Sequence, residues 1–509
     1  MPNQWTMMPM PHLAHDTRLH SWQEVLRGFD EAALLAETER CLQCAHPTCV
    51  DGCPNHNPIP TFIGLAQEGR YAEAAAVDYL QNALPSCTGR VCAWESQCEG
   101  RCVLTARGEG VRIGAIERFI ADYALRHPEE LAAATERLRA TAEATGALPP
   151  DLPYSAVLAA YHPRQEEDVP EWLGTRPQAP AHRLVAVVGA GPAGLSCADF
   201  LSRRGLDVTV FEAHGRAGGL LADGIPEFVL AMDVVDREVE RLQRQGVTFR
   251  FHQALGRDIH LDQLRAEFDA VFVGIGAGKA RALGVPGEDA PGVWSAQAFL
   301  HQAKLAIQYP DVPPPAVGQR VLVIGAGNTA MDAARTAVRL GATDVRVVYR
   351  RTRAESPSRD VEIAHTIDEG VSFDYLVVPV ALLTDDAGRL TGARLQRMEL
   401  GAPDASGRRR PVAVAGSDFD FPCDTLVQAV GYSVAGDQLE HPEVLARGGW
   451  IEADPNRGGG TKLPGVFAGG DDVRGPATVV DAIHDGRLAA EAIIAYLVAL
   501  PQSATAAAD

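Results

Sequence analysis

No stretch of this sequence approaches the roughly 20 consecutive apolar residues that a helix needs to cross a bilayer. The best candidate, Ala489 to Leu500, is short and reads as a C-terminal helix, so no membrane partner is expected. Positive charge is also scarce, with 46 Lys and Arg against 66 Asp and Glu and a formal net charge of -20. That balance argues against nucleic acid, whose phosphates need clustered cations, although a small anionic ligand can still find a local site. Met1 to His20 lacks a basic region followed by an apolar core, so no secretory signal is expected and the cytoplasm is the expected location. Cysteine is almost missing from most of the chain: outside residues 41–102 there are only Cys197 and Cys423.

What is there is therefore concentrated. The 509 residues imply two to four domains. Residues 20–126 read as a small helical domain, with helices expected at Glu31 to Arg40, Ile59 to Leu80 and Ile116 to Leu125. Residues 127–182 read as an Ala-rich, then Pro-rich linker with one helix over Glu129 to Thr145. The cysteines form two groups, Cys41, Cys44, Cys49 and Cys53 (followed by Pro54), then Cys87, Cys92, Cys98 and Cys102. In a reducing compartment dense cysteines ligate metal more often than they pair. Short gaps closing on Cys-Pro are the pattern of a ferredoxin run, in which the last cysteine crosses to a second cluster, so Cys53 is expected to join the second group. Zinc sites and a disulfide-bonded cap remain the alternatives, but zinc sites typically show two separated CxxC pairs and only Cys41 and Cys44 have that spacing.

After His182 apolar strands alternate with amphipathic helices, the pattern of a doubly wound parallel sheet. One unit occurs twice. Leu184 to Val188 runs into Gly189, Gly191, Pro192, Ala193 and Gly194; Val321 to Ile324 runs into Gly325, Gly327, Asn328 and Thr329, with Ala330 in place of the last glycine. Each is followed by a helix and a second strand, the arrangement that sets a pyrophosphate against helix amides. The second strands end differently. Glu212 follows the first, where a carboxylate accepts from a ribose 2'-hydroxyl, as FAD requires. Arg350 and Arg351 follow the second, with Arg353 and Arg359 close behind, and guanidinium groups suit the 2'-phosphate of NADPH. Near the end Gly465 to Asp471 puts a strand, Gly470 and Asp471 in sequence before a helix restarting at Thr478. The expected order is an FAD domain begun at 183–295, an NADPH domain inserted at 296–440, and the FAD domain resumed at 441–509. The cofactor-binding set extends to Gly219, Leu220, Ile225 and Gly276. Hydride transfer needs proximity more than an acid or base, so no catalytic side chain is nominated.

The motifs Cys41-Leu42-Gln43-Cys44, Cys53 to Pro60, Gly89 to Cys92, Gln97 to Cys102, Ile113 to Phe119, Gly224 to Phe228, Gly284 to Asp289 and Gly465 to Asp471 together resemble one family. It comprises the small (beta) subunit of glutamate synthase, the electron-input half of dihydropyrimidine dehydrogenase and related ferredoxin:NADP oxidoreductases. The resemblance implies an α/β fold of two nested Rossmann-like domains behind a helical domain with two 4Fe-4S clusters. It implies Cys41, Cys44, Cys49 and Cys102 for one cluster, and Cys53, Cys92, Cys98 and a helical carboxylate, Glu117, for the other, with Cys87 the rival ligand. Cys87 is displaced by one from the usual place, which Thr88 takes, and Gly274-Ile275-Gly276 lacks a threonine common among two-nucleotide enzymes. Cys197 has no CxxC mate, so a redox disulfide is not expected and a buried packing role is. The implied function is an electron-input subunit serving a redox partner: the glutamate synthase large subunit, a ferredoxin, or another oxidoreductase subunit. A non-catalytic scaffold is the reading of another class.

Overall fold

The computed structural model describes residues 5–145, 182–403, 407–454 and 458–500. At the amino end, helices Glu31–Thr38, Ile59–Gln67, Tyr71–Tyr79, Pro85–Val91 and Ile113–Arg126 pack into one layer. Asp30 starts the first by accepting from Ala33 N at 2.8 Å, satisfying an amide that the helix itself cannot. Ile59–Gln67 is buried on every side, which makes it the centre of the layer. The long helix expected from Ile59 to Leu80 is broken in two, because Gly69 adopts φ +75° and ends the first segment. The helix expected at Glu129 runs over Pro128–Thr145 and packs Leu131, Ala134 and Leu138 into the same core. The remainder of the segment read as a linker, 146–181, lies outside the described residues.

Two five-stranded parallel sheets follow. In the first, the order is Val466–Ala468, Ala270–Val273, Leu184–Val188, Asp207–Phe211, Thr248–Arg250. Its outer strand comes from the far end of the chain and pairs with Ala270–Val273, so everything between the two is an insertion. The second sheet runs Val293–Ser295, Thr425–Gln428, Arg320–Ile324, Asp344–Tyr349, Ser372–Tyr375. An antiparallel sheet of Val377–Thr384, Leu390–Pro403, Arg409–Ala413 and Phe419–Pro422 is appended to it. Both crossings between the parallel sheets meet in a two-stranded ribbon, Lys279–Ala280 with Tyr432–Ser433. At the centre of each sheet, Leu184–Val188 and Arg320–Ile324 are runs of buried aliphatics after their first residues, as strands covered on both faces must be.

The layers are fastened by buried charge. Glu238, fully buried, accepts from Tyr79 Oη at 3.1 Å and from Ser86 Oγ at 2.6 Å, both on the helical layer, and from Arg241 Nε at 3.0 Å. Arg241 also donates to the Ala83 carbonyl at 2.7 Å and to Asp199 at 2.9 Å. Across the two sheet units, Phe228 carries the guanidinium groups of Arg335 and Arg339 at 4.6 and 3.9 Å from its ring centroid. Both arginines pair with Glu369.

His365 sits beside this network, facing Arg335, Arg18, Glu362 and Glu369. Burial, reinforced by the Arg335 charge, pushes its imidazole down to about 4. From pH 6.5 down to 4 the unfolded chain therefore binds a proton that the folded chain refuses, and folding stability falls as pH drops through that window, by at most about 1.4 kcal/mol per pH unit for one such group. Thermal midpoints at pH 7 and pH 5 are expected to differ less in His365→Gln than in the wild type.

Candidate functional site

The chain turns sharply from the first strand into the helix Pro192–Ser202. Gly189 has φ +100° there, and a Cβ on it would lie 2.2 Å from the Gly274 carbonyl oxygen, so only glycine fits. No side chain caps this helix, nor the matching helix Asn328–Arg339, which leaves the first-turn amides of both for a ligand phosphate. A Cβ on Gly191 would meet nothing nearer than the Gly219 Cα, 4.0 Å away, so the backbone there is open to close approach. Glu212 lies buried at the end of the second strand and accepts from Ala190 N at 2.8 Å and His214 N at 2.9 Å, which aims the carboxylate along the glycine turn.

Gly219 and Gly276 both adopt positive φ on the rim of this turn. Opposite it, the strand Val466–Ala468 ends in Gly470 at φ +98°, whose absent Cβ would lie 3.0 Å from Ala193 Cβ. Asp471 begins a short helix, accepts from Ala477 N at 3.2 Å, and is pushed up to about 6 by burial. Its neighbour Asp472 is fully buried: Oδ2 accepts from Ile275 N at 2.8 Å and Oδ1 has no partner. Thr478 caps the last helix, Val479–Ala499, in a capping box with Asp481. Gly486 lets that helix touch the first one, since a Cβ would lie 2.1 Å from the Ala193 carbonyl oxygen. Open glycine backbone, uncapped amides and an unsatisfied buried carboxylate oxygen fit a dinucleotide such as FAD laid across both halves of the sheet.

A cleft of about 780 Å³ opens beside it, between the sheet units and the helical layer. Gly325, Gly327, Asn328, Thr329, Arg350, Arg351 and Arg359 from the second unit line it, as do Leu220 and Ile225 from the first and Thr478 and Val479 from the last helix. The arginines differ in what holds them. Arg350 is exposed at the cleft, whereas Arg351 is buried and donates from Nε to the Arg409 carbonyl at 2.7 Å. Arg353 is exposed and pairs with Asp360 at 3.6 Å outside the lining. Arg359 lines the cleft on the side of the helical layer, where its guanidinium stacks 4.2 Å from the Trp94 ring centroid and its Nη2 is buried without a partner. Residues the sequence did not nominate join the lining. Arg408 stands just before the strand Arg409–Ala413, and Tyr432 belongs to the crossing ribbon. Neither has a glycine fingerprint nearby, so no sequence signal marked them.

In the helical layer the cysteines gather into two separate cavities. Cys41, Cys44, Cys49 and Cys102 line one, closed by Ile59, Ile63 and Val111. Cys53, Cys92, Cys98 and Glu117 line the other, with Asn57, Thr88, Trp94 and Val480. Burial and the neighbouring thiols push Cys41 up to about 11, and burial pushes Cys53 up to about 12 and Cys92 and Cys98 upward as well. Converging buried thiols become thiolates only around a compensating cation, and this fits an iron–sulfur core. Backbone amides of Gln43, and of Asn55 and Asn57, point at Cys41 and Cys53. Left-handed turns at Gln43 and His56 wrap the chain round those sulfurs.

Glu117 Oε1 accepts from Asn82 Nδ2 at 2.9 Å, Thr88 Oγ1 at 3.1 Å and Asn57 Nδ2 at 3.3 Å. Burial, against those hydrogen bonds, pushes its carboxyl up to about 8. Cys87 is not at either cavity: it is fully buried in the apolar core shared with the first sheet unit, and Thr88, one residue on, faces Glu117 instead. Cys197 is likewise buried in that core.

Residues 18–129 match the family model described as dihydropyrimidine dehydrogenase domain II, 4Fe-4S cluster, and residues 183–486 match pyridine nucleotide-disulphide oxidoreductase. The chain is 36% identical over 487 residues to the glutamate synthase [NADPH] small chain of Escherichia coli (strain K12), covering 93% of each. It is 38% identical over 495 residues to the putative oxidoreductase AegA of the same organism, covering 95% of this chain and 69% of that one. Among solved structures, FprA from Mycobacterium tuberculosis in complex with NADPH matches with a TM-score of 0.54 at 21% identity, over 62% of this chain and 85% of that one, a likeness of fold. Fold and site together define an FAD- and NADPH-dependent oxidoreductase joined to a 4Fe-4S domain. The chain belongs to the glutamate synthase small-chain family.

Proposed function

We propose that this protein is an electron-input subunit of the glutamate synthase small-chain type, taking reducing equivalents from NADPH and passing them to a partner protein. When bound, FAD accepts hydride from the nicotinamide and converts it to single electrons that iron–sulfur clusters carry onward. One observation carries the reading. Val479 lines the nicotinamide cleft and the next residue, Val480, lines the cavity of Cys53, Cys92, Cys98 and Glu117, so the start of a single helix separates the two sites. In this reading the helix start holds the flavin between them, Cys53, Cys92, Cys98 and Glu117 hold the nearer 4Fe-4S cluster, and Cys41, Cys44, Cys49 and Cys102 hold the farther one. The glycine turns at Gly189 and Gly325 hold the FAD and NADPH pyrophosphates.

The residues in the cleft would act by placement. Leu220, Ile225 and Val479 supply apolar walls that exclude water, and Arg350 and Arg408 supply the charge for a 2'-phosphate. Asp332 lines the same cleft, and burial raises its carboxyl well above the usual carboxylate range. Arg350→Ala is expected to raise the KM for NADPH about 10–100-fold while leaving that for NADH nearly unchanged, as the loss of one charged hydrogen bond worth about 1.5–3 kcal/mol implies. Steady-state kinetics with both nucleotides check it.

Anaerobic titration of the purified chain with NADPH, together with iron, sulfide and flavin analysis, tests the whole reading. About eight irons and one FAD per chain, with flavin bleaching followed by loss of cluster absorbance, are expected for two four-iron clusters. Zinc in place of iron, or NADPH binding without bleaching, would end it. The partner is read from the relatives: the glutamate synthase small chain points to a large subunit that makes glutamate. The same unit also occurs within the longer putative oxidoreductase AegA, which favours a different acceptor as the second reading. Co-purification with the partner separates the two.

A further inference from the structure

Away from the cofactor cleft, two imidazoles and a carboxylate converge where the FAD and NADPH domains meet. His214 lies just beyond the strand Asp207–Phe211, and Asp223 ends the short helix Leu220–Asp223. His301 projects from the helix Ala296–Gln308 of the other domain. His214 Nδ1 stands 3.1 Å from Asp223 Oδ2, and His301 Nδ1 stands 3.3 Å from Asp223 Oδ1. The two rings meet edge to face, with centroids 5.8 Å apart. One potential ligand atom from each of the three residues lies within 4.8 Å of the other two. His214 is exposed and the other two are half-buried, so an ion has a route in from solvent.

We propose that His214, Asp223 and His301 form a binding site for a divalent transition-metal ion of the zinc class, and that the ion clamps the two domains together. The donor set decides the class of metal. Two imidazole nitrogens and one carboxylate oxygen suit Zn²⁺ with water in the fourth position, whereas Mg²⁺ and Ca²⁺ take oxygen cages. The charges around the site agree. Asp223 turns Oδ2 to His214 and Oδ1 to His301, so its carboxylate sits between the two imidazoles. Glu212 adds negative charge near His214. The opposing charge is Lys304, one helical turn beyond His301, whose ammonium donates to the Leu221 carbonyl at 3.1 Å and which burial pushes down to about 8.

The position of the site gives it a consequence. The ligands come from both domains, and the relative placement of those domains sets how the nicotinamide meets the flavin. An ion tying His301 to His214 and Asp223 would hold that placement, so it would slow any step in which the NADPH domain shifts.

The test uses the anaerobic holoenzyme, His214→Gln and His301→Gln, each equilibrated with zinc chloride in chelator-free buffer, desalted and analysed for zinc, iron and flavin. Wild type is expected to keep about one zinc per chain, with each variant at least ten times weaker in zinc affinity and all three equal in iron and flavin. Equal iron and flavin rule out both misfolding and displacement of cluster iron. Zinc that partitions equally among the three proteins, or that none of them retains, overturns the site and leaves an ion-paired triad. Stopped-flow reduction by NADPH then reads the clamp: zinc slows flavin bleaching in wild type and not in His301→Gln, and an unchanged wild-type rate overturns the clamp. Zinc retention is read whether or not electrons leave for a partner, so it stands or falls separately from the proposed electron-input role.

Discussion

Cys92→Ser, isolated anaerobically, is expected to hold about four irons where the wild type holds about eight, as loss of one four-iron cluster requires. NADPH should still bleach its flavin, since the glycine turns and the arginine-lined cleft are untouched, but reduction of a one-electron protein acceptor should collapse. Cys92 is buried at the cavity that also contains Val480, on the side facing the flavin helix, so its cluster is the one that receives electrons first in the proposed order. Cys87→Ser is the matched control. Cys87 is five residues away in sequence and just as buried, but it packs in the apolar core and is expected to keep the full iron content. Iron loss from Cys87→Ser with none from Cys92→Ser would reverse the ligand assignment and with it the proposed path.

Glu238→Ala is expected to cost about 1–3 kcal/mol for each buried donor left without its acceptor, with Arg241 still paired to Asp199. The substitution leaves the Arg241 guanidinium buried against Tyr79, with its ring centroid 4.5 Å away, and strips the acceptor from Tyr79 and Ser86. Because those two belong to the helical layer and Arg241 to the first sheet unit, the damage falls on the joint between cluster domain and flavin domain. Flavin release on heating, followed by fluorescence, should therefore begin at lower temperature than in the wild type. A midpoint within a degree of wild type would mean that apolar packing, and not this charge cluster, holds the joint.

Much of this was legible from residue order. The two glycine turns, the contrast between Glu212 and the arginines after the second strand, and the return of a strand at Val466–Ala468 are local patterns, and each maps onto one element of the fold. The crossing of Cys53 was legible in the ferredoxin-like spacing that closes on Cys-Pro, whereas the crossing of Cys102 to the first group came only through family resemblance. In the structure the crossing follows from the chain path: Cys53 lies beyond the turn at Gly52 and faces the helix that carries Glu117, while Cys102 closes back on Cys41. Arg359, grouped with the phosphate arginines by proximity in sequence, lines the cleft and also stacks on Trp94, because its helix start meets the helical layer. Arg408 and Tyr432 were invisible, since they reach the cleft from the start of a strand and from a ribbon with no motif of their own.

Taken alone, the residue order determined the cofactor chemistry: buried aliphatic strands running into glycine turns dictate dinucleotide folds, and clustered cysteines in an acidic, otherwise cysteine-poor chain dictate a metal-bearing domain. Tertiary structure alone decided that Cys87 stays apart from both cysteine cavities, which arginines line the cleft, and that one helix start stands between the cleft and the nearer cysteine cavity. Those relations join residues up to several hundred positions apart, and only the packing of the three layers brings them within reach of one another.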